Sequence, residues 1–358
     1  MSATFHPLEI TDIRRETDDA MSVRFDVPDA LRPAFRFRPG QHLTLRAKIN
    51  GEDVRRNYSI CAAPEDGELR IAIRQIPGGV FSTWANTMFV PGTAVDVMPP
   101  HGSFTWDFGG DAPAHYFGFA GGSGITPILS LVKSALARQP QCRFTLFYGN
   151  RSSASIMFLE QLAALKDRYL ARLEVYHFLE EEEQDIDLFN GRLDSDKIAQ
   201  LIGTLIPARE IDAAFVCGPA PMMNAVESGL AGAGMPIAHI LAERFTVDRP
   251  NETQLAAQQA LARRAEGLRV HLTLDGRRRT LVFDSQKGSI LENARAAGMP
   301  APYACKAGVC ATCRARLISG RVQMKAHYGL SAEDLAQGYV LACQAVPLDD
   351  GATLDFDS

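Results

Sequence analysis

Pro302-Tyr-Ala-Cys305-Lys-Ala-Gly-Val-Cys310-Ala-Thr-Cys313, answered much later by a lone Cys343, spells C-x4-C-x2-C…C. This is the spacing of plant-type [2Fe–2S] centres. Three thiolates so close in sequence can wrap one small inorganic core, and Cys343 closes the cage from another part of the fold. Ala304, Ala307, Gly308 and Ala311 are small, which lets backbone N–H groups approach the sulfides and offset their charge. No histidine interrupts the set, so a low-potential centre is expected and a Rieske centre is not. The competing readings are a structural zinc site and unrelated buried thiols. Zinc sites more often show paired C-x2-4-C units, which this set lacks.

Working outward, 358 residues suffice for two or three domains, each with a core of its own. A net charge of −5 without a long basic block gives no nucleic-acid footprint. Cys61, Cys142 and Cys217 are scattered singly, and Met1-Ser-Ala-Thr-Phe-His-Pro is no signal peptide. A reduced, cytoplasmic setting is therefore expected. The stretch from Ala112 to Val132 carries no formal charge, but Gly118, Gly121, Gly122, Gly124 and Pro127 interrupt it, so no membrane span is expected.

Three blocks and a linker divide the chain. In the first, 1–111, Met21, Val23, Phe25 and Val27 alternate with polar residues, as do Leu43, Leu45, Ala47 and Ile49, and Leu69, Ile71 and Ile73. With turns at Pro39-Gly40, Asn50-Gly51 and Asp66-Gly67, this predicts an antiparallel barrel or sandwich. In the second, 112–245, apolar runs at His115–Ala120, Arg143–Tyr148, Arg172–Phe178 and Ala213–Cys217 read as strands. Helical patterns at Pro127–Ala137, Ile156–Lys166 and Ser195–Ile202 lie between them, which is βαβ grammar and a parallel sheet. The acidic run Leu179–Asp187 reads as a solvated loop or helix end. Residues 246–267, rich in Gln, Ala and Arg, read as a linker with some helical character. The last block, 268–358, has strands near Arg269–Leu274 and Thr280–Phe283, a helix near Ile290–Ala297 and then the cysteine loop, an α+β pattern.

Phe117-Gly-Phe-Ala-Gly-Gly-Ser-Gly-Ile-Thr-Pro-Ile128 is a strand–loop–helix junction. Gly121, Gly122, Ser123 and Gly124 can bring backbone close to a phosphate, with Thr126 as the N-cap and a helix N-terminus behind it. The same glycines can equally make only a tight turn, and they do not spell G-x-G-x-x-G. Cys217-Gly218-Pro219 ends a strand at the edge where open α/β sheets bind ligands, although a cysteine there is also an ordinary buried hydrophobe. In Arg56-Asn-Tyr58-Ser59 the arginine can neutralise a phosphate, the tyrosine can stack on a flat heterocycle and the serine can bond its edge. Gly78-Gly79-Val80-Phe81-Ser82 reads as a turn offering N–H groups to a pyrophosphate. Arginine and tyrosine on a barrel strand are as often plain surface residues.

These four motifs, in this order, resemble the ferredoxin–NADP reductase superfamily. With a plant-type ferredoxin domain appended, the whole chain is similar to an oxygenase reductase. Phe35-Arg-Phe-Arg-Pro-Gly-Gln-His-Leu-Thr-Leu45, Phe147-Tyr-Gly-Asn-Arg151, Leu241-Ala-Glu-Arg-Phe245 and the cysteine loop resemble, more narrowly, the reductase subunits of ring-1,2-phenylacetyl-CoA epoxidases. The resemblance implies an antiparallel β-barrel flavin domain, a parallel-sheet nucleotide domain and a β-grasp ferredoxin domain. It also implies roles. Arg56 binds flavin phosphates, Tyr58 stacks on the isoalloxazine, Ser59 approaches its N5, and Ile73 and the turn Gly79, Val80, Phe81 and Ser82 complete an FAD site. Gly121 to Gly124 and Thr126 hold the dinucleotide, with Cys217, Gly218 and Pro219 near the nicotinamide. Glu243 and Phe245 resemble the Glu-x-aromatic segment over the flavin's other face; plant-type reductases end there on a tyrosine, whereas here a phenylalanine is followed by more chain. Cys305, Cys310, Cys313 and Cys343 are the cluster ligands.

The function expected is NADPH oxidation, with a hydride passed to FAD and single electrons passed through the cluster to a multisubunit di-iron oxygenase acting on phenylacetyl-CoA. Ser59, Cys217 and Glu243 are the catalytic candidates. Arg151, past the second strand of the nucleotide fold, is placed for a 2′-phosphate, or is an ordinary loop residue, in which case NADH remains possible. The alternatives are the reductase of another oxygenase, such as a Rieske dioxygenase or an aromatic demethylase, and a zinc-holding protein that carries no electrons. From Ser331 to Ser358 there are acids (Glu333, Asp334, Asp349, Asp350, Asp355 and Asp357) and no Lys or Arg, either a solvated face or a docking patch.

Overall fold

The alternation in the first block sorts side chains onto two faces of a pleated sheet. The computed structural model describes residues 4–245 and 252–358. Strands β1 (His6–Thr17), β2 (Ala20–Asp26), β3 (His42–Ile49), β4 (Glu52–Ser59), β5 (Leu69–Arg74) and β6 (Ala94–His101) form one antiparallel sheet in the order β4-β3-β6-β1-β2-β5. Just past β4, Ile60 bridges to Ile71, and the Cys61 N–H donates to the Arg70 carbonyl at 2.9 Å. The outer strands thus meet and the sheet closes as a barrel. Val23, Leu43, Leu45, Ile71 and Val97 fill its core. Asn50-Gly51 makes the β3–β4 hairpin with φ of 51° and 85°, both in the left-handed region that a tight hairpin demands. The 78–82 turn is shorter than expected, because helix α1 (Val80–Met88) begins inside it. Phe81, Trp84 and Ala85 at i, i+3 and i+4 pack that helix on the barrel core.

The second block builds the expected parallel sheet, with β7 (Ala114–Gly121), β8 (Cys142–Asn150), β9 (Leu173–Leu179) and β10 (Ala213–Cys217), and adds a fifth strand, β11 (Ile240–Glu243). The order β11-β10-β7-β8-β9 places the topological switch between β7 and β10. Helices α2 (Ile125–Arg138), α3 (Leu159–Arg168), α4 (Ser195–Thr204) and α5 (Ala220–Gly232) connect the strands. Two helix starts differ from the expected ones. Thr126 is not the N-cap: α2 begins at Ile125, and the Thr126 hydroxyl donates to the Ser123 carbonyl at 3.0 Å. Helix α3 begins later than Ile156 because Phe158 sits at φ 60°, outside helical backbone.

The last block is a mixed five-stranded sheet. Its strands β12 (Arg269–Leu274), β13 (Arg277–Val282), β14 (Arg314–Ser319), β16 (Tyr339–Leu341) and β18 (Ala352–Asp355) run in the order β13-β12-β18-β14-β16. Helix α7 (Ile290–Ala296) supplies Ile290, Leu291 and Ala294 to the core under it, and β15 (Val322–Met324) pairs with β17 (Ala345–Pro347). This is the β-grasp pattern of one helix against a mixed sheet. Residues 246–251 of the expected linker lie outside the described residues, and its remainder is largely helix α6 (Glu252–Arg264). Leu261 and Ala265 at its end pack into the C-terminal core. The chain forms two compact units, His6–Glu243 and Arg244–Ser358, the latter with residues 4–5.

Candidate active site and cluster loop

Because opposite residues of an antiparallel pair share a face, pairing sets one polar row across the barrel. β3 pairs His42 with Ser59 of β4 on one side and with His101 of β6 on the other. All three are oriented away from the Leu43/Leu45 side, which faces the core. β10 and β11 pair Cys217 with Glu243 at their carboxyl ends. The two rows meet: the Ser59 hydroxyl donates to Glu243 Oε2 at 3.3 Å, and Glu243 Oε1 lies 3.5 Å from His42 Nδ1. Glu243 is 13% exposed and Ser59 and Cys217 are buried. Burial, reinforced by the neighbouring Glu243 charge, pushes the Cys217 thiol far above its ordinary range, so it stays protonated. The three catalytic candidates therefore lie together at the edge of the sheet.

At the switch point the loop Gly121–Gly124 touches the loop Cys217–Pro219. A Cβ on Gly124 would lie 2.0 Å from the Cys217 carbonyl oxygen, and one on Gly121 would lie 2.5 Å from Pro219 Cδ. A Cβ on Gly218 would in turn lie 2.9 Å from the Gly121 backbone nitrogen. These glycines are required by contact between the loops themselves. Gly122, at φ 52°, gives the turn its left-handed step. The arrangement leaves backbone of both loops at the crevice where open α/β sheets bind ligands.

On the barrel, Tyr58 packs its ring 5.8 Å from Phe81, and burial pushes its hydroxyl well above the usual phenol range. The exposed Arg56 guanidinium donates to the Arg55 carbonyl at 2.7 Å. Ile73 is fully buried inside the barrel. Beside the Gly78-Gly79 turn, Ile76 and Val80 are 56% and 50% exposed, and the Ser82 hydroxyl accepts from the Ile76 N–H at 3.2 Å. Half-exposed apolar side chains at this turn, with a tyrosine ring and an exposed guanidinium on β4, fit a flat, partly apolar, phosphorylated ligand such as FAD. Arg151 is 59% exposed and 4.0 Å from Asp19, whose carboxylate already accepts from Arg74 Nε at 2.9 Å. Nearby, Glu182 accepts from both the N–H and the hydroxyl of Ser153, so the acidic run is anchored as well as solvated. Phe245, 41% exposed, falls beyond the boundary between the two units.

In the C-terminal unit the four cysteines face one another as two pairs. Cys305 is hydrogen-bonded to Cys310, and Cys313 to Cys343. The bond from Cys305 draws Cys310 well below the ordinary thiol range and lifts Cys305, and the second pair splits in the same way. Four cysteines and no histidine are the donor set that a plant-type [2Fe–2S] cluster would take. The loop turns through Lys306, Gly308 and Ala311 at φ of 55°, 78° and 55°, which aims N–H groups inward. The Ala307 N–H donates to Cys305 Sγ at 3.3 Å, and backbone N–H groups of Thr312 and Gly308 reach Cys310 and Cys343. Gly308 is held against Ala326 and Gln344, and Gly329 against the backbone of Val309 to Ala311, so a second strand of chain backs the loop. Among the C-terminal acids, Asp334, Asp349 and Asp350 pair with Arg314, Arg321 and Arg269, and Asp357 accepts from two backbone N–H groups. This is a largely neutralised face.

His42, Asn57 and His101 belong to this site and escaped the sequence reading. The faint signal was the polar half of the alternation, His42 and Thr44 between apolar Leu43 and Leu45.

Three domain families match the chain in succession. Residues 7–106 match the oxidoreductase FAD-binding domain, 119–228 the oxidoreductase NAD-binding domain, and 272–348 the 2Fe-2S iron-sulfur cluster binding domain. The chain is 42% identical to a component of the 1,2-phenylacetyl-CoA epoxidase of Escherichia coli (strain K12), over 99% of this chain and 98% of that one. It is 33% identical to the ferredoxin reductase component of 3-ketosteroid-9-alpha-monooxygenase from Rhodococcus rhodochrous, over 98% and 96%. In fold it resembles phthalate dioxygenase reductase, with a TM-score of 0.57 at 22% identity over 98% of both chains. No described helix is long and apolar enough to cross a membrane. With FAD, pyridine-nucleotide and [2Fe–2S] domains in this order and relatives aligned from end to end, the protein belongs to the family of reductase components of multicomponent oxygenases.

Proposed function

We propose that the protein is the NADPH-oxidising reductase of a multisubunit di-iron oxygenase, one that acts on phenylacetyl-CoA, in the cytoplasm. The observation that carries the redox part is the meeting of Ser59, Glu243 and Cys217 at the end of the parallel sheet. The partner rests on the 42% identity to the epoxidase component, against 33% for the ketosteroid monooxygenase component. FAD accepts a hydride as a pair and releases electrons singly, which is the chemistry such a reductase needs. Around it, Arg56 and the turn of Gly79, Val80, Phe81 and Ser82 hold phosphates, Tyr58 supports the ring, and Ile73 backs the pocket from inside the barrel. Gly121, Gly122, Ser123, Gly124 and Thr126 shape the dinucleotide crevice. Cys217, Gly218 and Pro219 border the nicotinamide, with Cys217 as a neutral, uncharged wall. Ser59 offers a hydroxyl to the reacting edge, Glu243 orients that hydroxyl, and Phe245 is the candidate aromatic cover. Arg151, exposed and without a short ion pair, is available to a 2′-phosphate. Cys305, Cys310, Cys313 and Cys343 hold the cluster. The corresponding division is 1–111 flavin, 112–245 nucleotide, 246–267 linker and 268–358 ferredoxin.

Parallel anaerobic titrations with NADPH and NADH test this reading. Flavin and iron–sulfur bands should both bleach, at much lower NADPH than NADH, and Arg151→Ala should erase the difference. An unchanged preference in Arg151→Ala removes this arginine from the assignment. Substrate-dependent NADPH oxidation with the phenylacetyl-CoA oxygenase tests the partner, and its absence would leave a reductase of some other oxygenase.

A further inference from the structure

His42 is 5% exposed, and its Nδ1 is buried without a hydrogen bond. Its orientation is nevertheless tightly set. The Thr44 hydroxyl donates to Asn57 Oδ1 at 3.0 Å, which turns the Asn57 amide nitrogen toward His42 Nε2 at 3.2 Å. An amide nitrogen only donates, so Nε2 must accept and the ring proton must sit on Nδ1. The His101 ring packs edge-on against His42, centroids 4.2 Å apart, and closes the other side. Gly102, at φ 121°, has no Cβ, and one there would lie 2.9 Å from His42 Nδ1. The chain therefore keeps the Nδ1 edge open toward one group, Glu243 Oε1 at 3.5 Å.

We propose that His42 is a positioning residue for hydride transfer: its Nδ1–H holds one oxygen of Glu243 so that the other receives the Ser59 hydroxyl. The inference rests on the reading of Ser59 and Glu243 as part of the reacting site. A carboxylate with both oxygens fixed cannot rotate, and the Ser59 oxygen then keeps one lone-pair direction toward the reacting edge. The titratable neighbours are neutral: burial holds His101 down to about 3, and burial keeps the Cys217 thiol protonated. The acceptor that the His42 Nδ1–H faces is Glu243 Oε1, 3.5 Å away.

Substitutions at His42 in the full-length holoprotein separate positioning from packing. Asn places a donor where Nδ1 was, Gln places one where Nε2 was, and Ala places none. At saturating NADPH, Ala and Gln should slow anaerobic flavin bleaching on the order of tenfold to a hundredfold, as misplacement of a reacting group does, and Asn should recover most of the rate. FAD and iron content should stay at wild-type levels in all three. Independently, long-range 15N spectra of the histidine-labelled protein should show the His42 proton on Nδ1, with the Nδ1 resonance displaced in Glu243→Gln. A proton on Nε2, or an Nδ1 resonance indifferent to Glu243→Gln, overturns the inference, and this arm decides even if the alanine variant fails to fold. Wild-type bleaching in His42→Ala alongside slow bleaching in Ser59→Ala also overturns it and spares the site. If Ser59→Ala and Glu243→Gln both bleach at the wild-type rate, the reading of the site falls and the inference falls with it.

Discussion

Arg70 on β5 is 3% exposed, yet its guanidinium is fully engaged, by Asp12 at 2.5 Å, Glu68 at 3.0 Å and the Ser22 hydroxyl at 3.1 Å. A buried cation persists only when paired in this way. Arg70→Met should destabilise the barrel by about 2 to 3 kcal/mol, below the range for fully buried pairs because Asp12 keeps 33% of its side chain exposed. The pair also sets a pH dependence. The hydrogen bond from Arg70 holds the Asp12 carboxyl below its ordinary value, against a partial opposing effect of burial. Its contribution is therefore present above about pH 3.9, the unfolded value, and is lost as pH falls through the lower folded value. Chemical unfolding between pH 2 and 6 should show this acid limb in the wild type and a shallower one in Arg70→Met. Equal limbs would mean that the carboxylate is not held by this arginine.

At the scale of elements, two loops define the crevice, and each is shaped by the other. Gly124→Ala would drive a methyl group to within 2.0 Å of the Cys217 carbonyl oxygen, a backbone atom that cannot rotate aside. The loops must then part, at about 1 to 3 kcal/mol for overpacking. The expected result is a KM for NADPH raised at least several-fold with FAD still bound, read by steady-state kinetics and the flavin spectrum. An unchanged KM would show that the loops do not border the nucleotide. The glycines were legible in the sequence as a place of close approach, but the partner was not, since a run of Gly-Gly-Ser-Gly says nothing of a loop almost a hundred residues away. The same limit explains the rest. Alternation and βαβ spacing are local, so β2, β3 and β5 of the barrel, most of the parallel sheet and the cysteine loop could be read directly. The short strand β11 and the row Ser59–His42–His101 exist only through long-range pairing. Helix α1 was hidden behind Gly78-Gly79, although Phe81, Trp84 and Ala85 carry its period.

At the scale of the whole chain, each unit has an apolar interior of its own. The core of Arg244–Ser358 runs from Leu261 on the end of α6 through Val270, Leu291 and Leu341 to Phe356. Those of His6–Glu243 run from Leu8 in the barrel to Leu241 and Ala242 on β11. Each unit is well above the size at which a single core can sustain a fold. Every residue proposed for flavin and nucleotide, Phe245 excepted, lies in the first unit, and all four cysteines lie in the second. A chain ended after Phe245 should therefore fold, bind FAD and reduce ferricyanide with NADPH, with flavin bleaching as fast as in the full protein. It should show no iron–sulfur bands and deliver nothing to the oxygenase. Loss of FAD from the shortened chain would mean that the C-terminal unit completes the flavin site and that the boundary at Glu243 is not a functional one. Retained delivery to the oxygenase would mean that electrons leave from the flavin without passing through the four cysteines.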